Sequence, residues 1–248
     1  MLLAGMAAGT INTVVGSGTL ITFPTLLALG YPPVTANVSN NIGLVFGGIT
    51  GAWGYRRELA GQRTTLARLI PASFVGAVAG AVLLLRLPAR AFETIVPVLI
   101  AIALVLVVVQ PRIAAAAAAR RERAGVVHQG VGPLAQSGTL LAGVYGGYFG
   151  AAQGVLLVGL LGALLPESLQ RVNGLKNVLS AVVNSVAAVT FLIVAPQAVD
   201  PLVALLIAIG SIAGGFIGAG VGRRLPPKVL RAVIIVVGLG AIVRLLAG

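Results

Sequence analysis

Seven extended stretches of this chain carry no Asp, Glu, Lys or Arg: residues 1–55, 69–85, 94–111, 124–166, 178–199, 201–222 and 232–243. A helix needs about 20 mostly apolar residues to cross the hydrocarbon core of a bilayer. Most of these windows reach that length, or approach it with an Arg at the end whose stem lies along apolar surface. Barrel strands would alternate over segments of about ten residues, and the run from Val96 to Val109 does not alternate. With 58% hydrophobic and 9% charged residues and a mean hydropathy of +1.06, too little polar surface exists to coat a water-soluble globule. The expected fold class is an all-α integral membrane protein.

The chain also repeats itself at a spacing of 136 to 138 residues. Leu3-Ala4-Gly5, Gly18, Ala36-Asn37, Asn40-Asn41, Gly76, Gly80 and Arg86-Leu87-Pro88 return as Leu141-Ala142-Gly143, Gly154, Val172-Asn173, Lys176-Asn177, Gly214, Gly218 and Arg224-Leu225-Pro226. Duplicated apolar halves with polar groups at matching buried positions are the build of many secondary transporters, in which the substrate is held where the halves meet. Three regions follow: a first transmembrane repeat at 1–111, a basic cytoplasmic linker at 112–136 and a second transmembrane repeat at 137–248. In the linker, the alanine run after Pro111-Arg112-Ile113 prolongs the preceding helix until Gly125 ends it.

Several function classes are excluded early. Cysteine is absent, His128 is the single histidine and the five acids are scattered, so neither a nucleophile with its base nor a metal-ligand set is available. No catalytic residue, metal or cofactor is expected. The net charge of +12 would suit nucleic acid, but the basic residues sit in short loops between spans and not on one face. Residues 1–30 lack a basic leading segment and match 139–166, so they read as part of the body and not as a cleaved signal.

Basic loops stay on the cytoplasmic side during insertion. Four groups stand out: Arg56, Arg57, Arg63 and Arg68; Arg112, Arg120, Arg121 and Arg123; Arg171 with Lys176; and Arg223, Arg224, Lys228 and Arg231. The segment from Ala195 to Pro201 has no basic residue, and the turn at 86–90 has only Arg86 and Arg90. Placing all four groups inside makes spans near 36–55, 67–86 and 91–110 run inward, outward and inward. Spans near 172–194, 201–222 and 228–246 then run outward, inward and outward. The halves are inverted, and segments 1–30 and 138–166 are broken, re-entrant hairpins bent at Gly16-Ser17-Gly18 and near Gln153-Gly154. The alternative of eight full spans in two parallel halves stays open, although it puts loop 56–68 or loop 223–231 outside with four basic residues.

The candidate site residues come from the breaks and from one helical face in each half. Glycines flanking Ser17, followed by Pro24, free backbone groups at membrane depth, which is tolerated only where protein or a water-filled cavity replaces their partners. A half-helix starting at Ser17 or Gly18, with Thr19 in its first turn, would point amides and a positive dipole end at an anion. Gln153 and Gly154 would do the same in the second half. The competing reading is close helix packing through small residues. Asn37, Asn40 and Asn41 share one helical face by their spacing, as do Asn173, Lys176 and Asn177. Asn37 alone reads more simply as a cap near a helix start. Lys176, about one turn inside its span, is costly there unless it snorkels, pairs with Glu167 or meets an anion. Gly76, Gly80, Gly214 and Gly218 read as packing residues, Arg86 and Arg224 as interface anchors, and Asp200 or Glu93 as the acids placed near a span where a coupling proton could sit.

Taken in order, these motifs resemble the sulfite exporter TauE/SafE family, the four-toluene-sulfonate uptake permeases. The resemblance runs from Leu3 to Leu246 and is carried by Val15-Gly16-Ser17-Gly18-Thr19-Leu20-Ile21-Thr22-Phe23-Pro24-Thr25-Leu26-Leu27, Gly30, Pro32-Pro33 and Ala36 with Ser39-Asn40. Gly51-Ala52-Trp53-Gly54-Tyr55-Arg56-Arg57-Glu58-Leu59 and Leu169-Gln170-Arg171-Val172-Asn173-Gly174-Leu175-Lys176-Asn177 extend it. It implies a multi-pass carrier of the cell's inner or plasma membrane for a small anionic substrate such as sulfite, a sulfonate or an organic acid. Ser17 and Thr19 stand where many members have more glycine. The partners expected are the anion and the lipid bilayer, with no nucleic acid, and a homodimer is left open. A non-transporting membrane scaffold or assembly partner is the other reading.

Overall fold

A computed structural model describes residues 1–123 and 131–220, together with 232, 234–237, 239–240 and 242–243. All regular structure among the described residues is helical: α1 (Leu2–Val14), α2 (Thr19–Ala28), α3 (Pro33–Gly54), α4 (Arg63–Arg86), α5 (Ala89–Arg123), α6 (Pro133–Tyr148), α7 (Gln153–Leu164), α8 (Leu169–Val194) and α9 (Pro201–Gly220), with a single 3-10 turn at Pro196–Ala198. The all-α membrane fold read from the sequence is therefore the one observed. His128, the basic group from Arg223 to Arg231 and most of the span expected near 228–246 lie outside the described residues.

Local chemistry sets the helix ends. Pro33 and Pro133 occupy opening positions of α3 and α6, where the missing amide hydrogen costs nothing. Ser168 caps α8 by accepting from the Arg171 amide at 3.4 Å, and α5 runs on through the alanines to Arg123. Among the described residues, four helices are long and apolar enough to cross a membrane: Arg63–Arg86, Arg90–Val109, Leu169–Val194 and Pro201–Gly220. At 22 residues, α3 is as long as these but is diluted by Asn37, Ser39, Asn40 and Asn41. All four of these polar residues are buried. Phe46, Ile49 and Trp53 of the same helix are exposed, the division expected when protein lies on one side and lipid on the other.

The two halves are interlaced. Helix α1 packs along α9, and α6 packs along α4, so the opening helix of each half lies against a long helix of the other. A Cβ on Gly76 or Gly80 would run into the Leu140 or Val144 carbonyl, and one on Gly210 or Gly214 into the Leu2 or Met6 carbonyl. These are close backbone contacts of the kind small residues permit. By contact, Gly76 and Gly80 therefore correspond to Gly210 and Gly214, one helical turn earlier than the pairing with Gly214 and Gly218 drawn from the repeat. Gly218 continues the same seam against Thr10 and Thr13.

Hydrogen bonds tie the loops together at the two ends of the bundle. Arg171 Nη2 donates to the Ala60 carbonyl at 3.0 Å and Gln62 Nε2 to Glu167 Oε1 at 2.6 Å, which brings the turn after α3 beside the start of α8. Elsewhere, the Asp200 amide donates to Ser39 Oγ at 2.8 Å, and Asp200 Oδ1 accepts from the Val203 amide at 3.0 Å.

Candidate substrate site

Both short-helix pairs are broken at matching places. The first break covers Val15 to Gly18 with Gly16 at φ +87°, and the second covers Phe149 to Ala152 with Gly150 at +76° and Ala152 at +59°. Ala152 stands 136 residues after Gly16, so the second half repeats a left-handed turn with a side chain that pays roughly 1–2 kcal/mol for it. The bend expected near Gln153-Gly154 thus falls a few residues earlier, and Gln153 and Gly154 form the first turn of α7. In the first half, Ser17 and Gly18 stay in the break and Thr19 opens α2.

The two breaks touch. The Gly154 amide donates to the Gly16 carbonyl at 3.0 Å, and a Cβ on either glycine would strike the other's Cα. This contact engages amides that the sequence reading aimed at a ligand. Gly154 bonds to Gly16, the Gln153 amide to Gly150 O at 3.2 Å, and the Gly18 amide reaches Asn12 Oδ1 at 3.5 Å. Side chains are available as well. Ser17 is 1% exposed and Gln153 3% exposed, yet Ser17 Oγ and Gln153 Nε2 have no hydrogen-bond partner. Buried polar groups are otherwise almost always paired.

Helices α3 and α8 reach into the breaks from either side. Asn37 Nδ2 donates to the Tyr148 carbonyl at 3.0 Å, so it closes the end of α6 in the opposite half. It is not a cap on its own helix, whose N-cap is Pro32. Asn40 is held by α2, accepting from Thr22 Oγ1 and donating to Thr19 Oγ1 at 3.4 Å. Asn41 Nδ2 contacts Asn184 Oδ1 at 3.5 Å, while Asn41 Oδ1 is buried without a partner. Asn173 is half-buried one turn before Lys176 and lies outside this set.

Lys176 is completely buried, two turns into α8 and not one. Its Nζ donates to Asn12 O at 2.8 Å and Thr13 O at 2.9 Å, and Asn177 Nδ2 donates to Thr13 O at 3.3 Å. The side chain neither snorkels nor meets Glu167, whose Oε2 is 3.0 Å from Arg171 Nη1. Two of the three ammonium donors are thus spent on the last turn of α1. The structure brings Ser17, Gly18, Gln153, Gly154, Lys176 and Asn177 around one crossing, with Asn37, Asn40, Asn41 and Thr19 bonded to the helices that form it.

The sequence reading missed the partners. Asn12, Thr13, Tyr148 and Asn184 supply acceptors and Thr22 a donor, and a polar residue inside an apolar window was the only signal for them. An aromatic cluster closes one side: Phe23 lies edge-on to Phe149 and Phe92 with centroids 5.2 and 6.5 Å apart, and Phe92 to Tyr148 at 5.7 Å.

A sequence model described as "Sulfite exporter TauE/SafE" matches residues 1–245. The chain belongs to the sulfite exporter TauE/SafE family. Among relatives of this TauE/SafE chain is the "Probable membrane transporter protein YfcA" of Escherichia coli (strain K12), 27% identical over 154 residues, which are 62% of this chain and 55% of that protein. The match thus spans about half the length of that relative. The "Probable membrane transporter protein ORF9" of Sinorhizobium sp is 27% identical over 252 residues, covering 100% of this chain and 91% of that protein. A "Probable membrane transporter protein" of Haemophilus influenzae is 26% identical over 170 residues, 66% of this chain and 63% of its own. No solved structure matches the chain. This TauE/SafE chain's family and relatives are named as transporters and not as enzymes.

Proposed function

We propose that the chain is a multi-pass secondary carrier of the cell's inner or plasma membrane that moves a small anion, sulfite or a sulfonate by preference, by alternating access between its two halves. The observation that carries this reading is the pair of unpartnered donors, Ser17 Oγ and Gln153 Nε2, each on the residue next in sequence to one of the touching glycines, Gly16 and Gly154, past which the buried Lys176 stem runs. Such an arrangement costs stability in an inert scaffold and suits an oxyanion that accepts several hydrogen bonds. Ser17, Gln153 and the third N–H of Lys176 are the donors offered to it, with Asn40, Asn41 and Asn177 fixing the walls and Gly18, Gly154, Thr19 and Asn37 framing them.

The inverted arrangement of halves fits the loop contacts. Between the turn after α3 and the start of α8 the chain passes α4, α5, α6 and α7, and the bonds from Ala60 and Gln62 to Arg171 and Glu167 join those two points at one end. With α4 and α5 each crossing once, that supports a path in which α6 and α7 together return to the side they left, as a re-entrant hairpin does. With the inside negative, an anion released into such a carrier is driven outward without a coupling ion.

Purified protein in liposomes is expected to give saturable uptake of labelled sulfite, thiosulfate or a small organosulfonate. Gln153→Leu is expected to cut that flux by about tenfold, the order expected when one charge-assisted hydrogen bond is lost. Flux that does not saturate would indicate a channel, and no flux of any of the three anions would return the chain to the scaffold reading.

A further inference from the structure

The second half differs from the first at two positions that decide where the buried cation goes. Asn40 uses both ends of its amide on Thr19 and Thr22 of its own hairpin. At a spacing of 136 residues the counterparts are Lys176, Val155 and Val158. Both valines are buried and carry no side-chain acceptor, so α7 offers Lys176 nothing. The side chain instead crosses into the first half along a lane beside the touching Gly16 and Gly154, where an added Cβ would stand 3.1 and 2.8 Å from Lys176 Cδ. Its ammonium ends on Asn12 O and Thr13 O, in the last turn of α1, where the unpaired carbonyls concentrate partial negative charge. The equivalent end of α6 receives only the neutral amide of Asn37. Carbonyls at the C-terminal end of a half-helix are a common Na⁺ ligand set in carriers built from broken helices.

We propose that the end of α1 is a monovalent-cation site which the chain fills with its own Lys176 ammonium, a tethered substitute for Na⁺ or K⁺. Part of the test rests on the carrier reading and part does not. The cation fixes the end of α1 against α8 through two charge-assisted bonds, and Asn177 shares the same Thr13 carbonyl. A free alkali ion is accordingly not required for this junction to form.

The test compares the full chain with Lys176→Ala, which removes the amine and opens the lane, and Lys176→Met, which fills the lane without charge. In detergent with choline as the only cation, Lys176→Ala is expected to melt below the unsubstituted protein. Ammonium or methylammonium, and Na⁺ to a lesser degree, are expected to raise its Tm saturably by about 2–4 °C, with no rise for Lys176→Met or the unsubstituted chain. In liposomes the unsubstituted protein is expected to carry its anion equally well in Na⁺, K⁺ and choline, and Lys176→Ala to regain flux with ammonium. Identical melting of Lys176→Ala in every salt, or a Na⁺ or K⁺ requirement in the unsubstituted protein, overturns the proposal. Should Lys176→Ala yield no folded protein in choline, purification in ammonium is expected to recover it, and failure there also overturns the proposal. A salt-specific melting response with no anion flux in any condition would refute the carrier reading and leave the cation site standing.

Discussion

The Gly154 amide donates to the Gly16 carbonyl at 3.0 Å, joining the bend of one broken hairpin to the first turn of the other with no side chain between them. Both residues are glycine for reasons of space, but Gly16 also holds φ at +87°. The two positions are therefore not equally tolerant.

Gly154→Ala is expected to destabilise by about 1–3 kcal/mol through overpacking against Gly16 and the Lys176 stem. Gly16→Ala is expected to lose about 1–2 kcal/mol more because of its left-handed backbone. Thermal melts in detergent check the order, and a Gly154→Ala protein less stable than Gly16→Ala would contradict it.

Ser73 and Ser211 stand 138 residues apart and are both fully buried, yet they differ in partners. Ser211 Oγ donates to Gly43 O at 2.8 Å and accepts from the Gly47 amide at 3.1 Å, whereas Ser73 Oγ has no partner. Ser211→Ala is expected to cost about 1 kcal/mol, and Ser73→Ala to leave stability unchanged or slightly raised. Equal losses in a denaturation series would show that the hydroxyl of Ser73 is bonded after all.

Asp200 holds the start of α9 through the Val203 amide, which gives it a capping role. Asp200→Asn, which keeps the acceptor, is expected to retain flux, while Asp200→Ala lowers stability by about 1 kcal/mol. Loss of flux in Asp200→Asn with a normal melting curve would reinstate the acid as a coupling group.

Because the chain contains no cysteine, single Cys substitutions report sidedness on a clean background. Ala60→Cys and Gln170→Cys, at exposed positions beside the Ala60–Arg171 bond, are expected to react with a membrane-impermeant reagent from the same side. Gln197→Cys, in the turn before α9, is expected to react from the opposite side. Reaction of positions 60 and 170 from different sides would restore the eight-span parallel arrangement.

Helix positions were legible because charge-free windows and prolines report solvent and chain direction directly. The expected span near 172–194 is α8 at Leu169–Val194, and that near 67–86 is α4 at Arg63–Arg86. The breaks were legible to within a few residues: Gly16 announces its turn, but Ala152 adopts the same conformation with nothing in its identity to mark it. Side-chain partners were the illegible part. Lys176 has a plausible acid nine residues away in Glu167, and only the fold shows that the acid belongs to Arg171 while the ammonium crosses to α1. Asn37 was misread for the same reason, since the helix end it closes is 111 residues distant in sequence.

The seam between α1 and α9 has a consequence for how the protein is made. Leu2 meets Gly210, a partner that a ribosome working at about 5–20 residues per second delivers roughly ten to forty seconds after the opening helix has left it. During that interval the glycine stripe of α1, Gly5 and Gly9, which packs on Ile207 and Ser211 of α9, waits in lipid or against the translocon. An N-terminal fragment released after its first hundred or so residues would have no surface on which to bury that stripe, so proteostasis should treat the two repeats as one indivisible product.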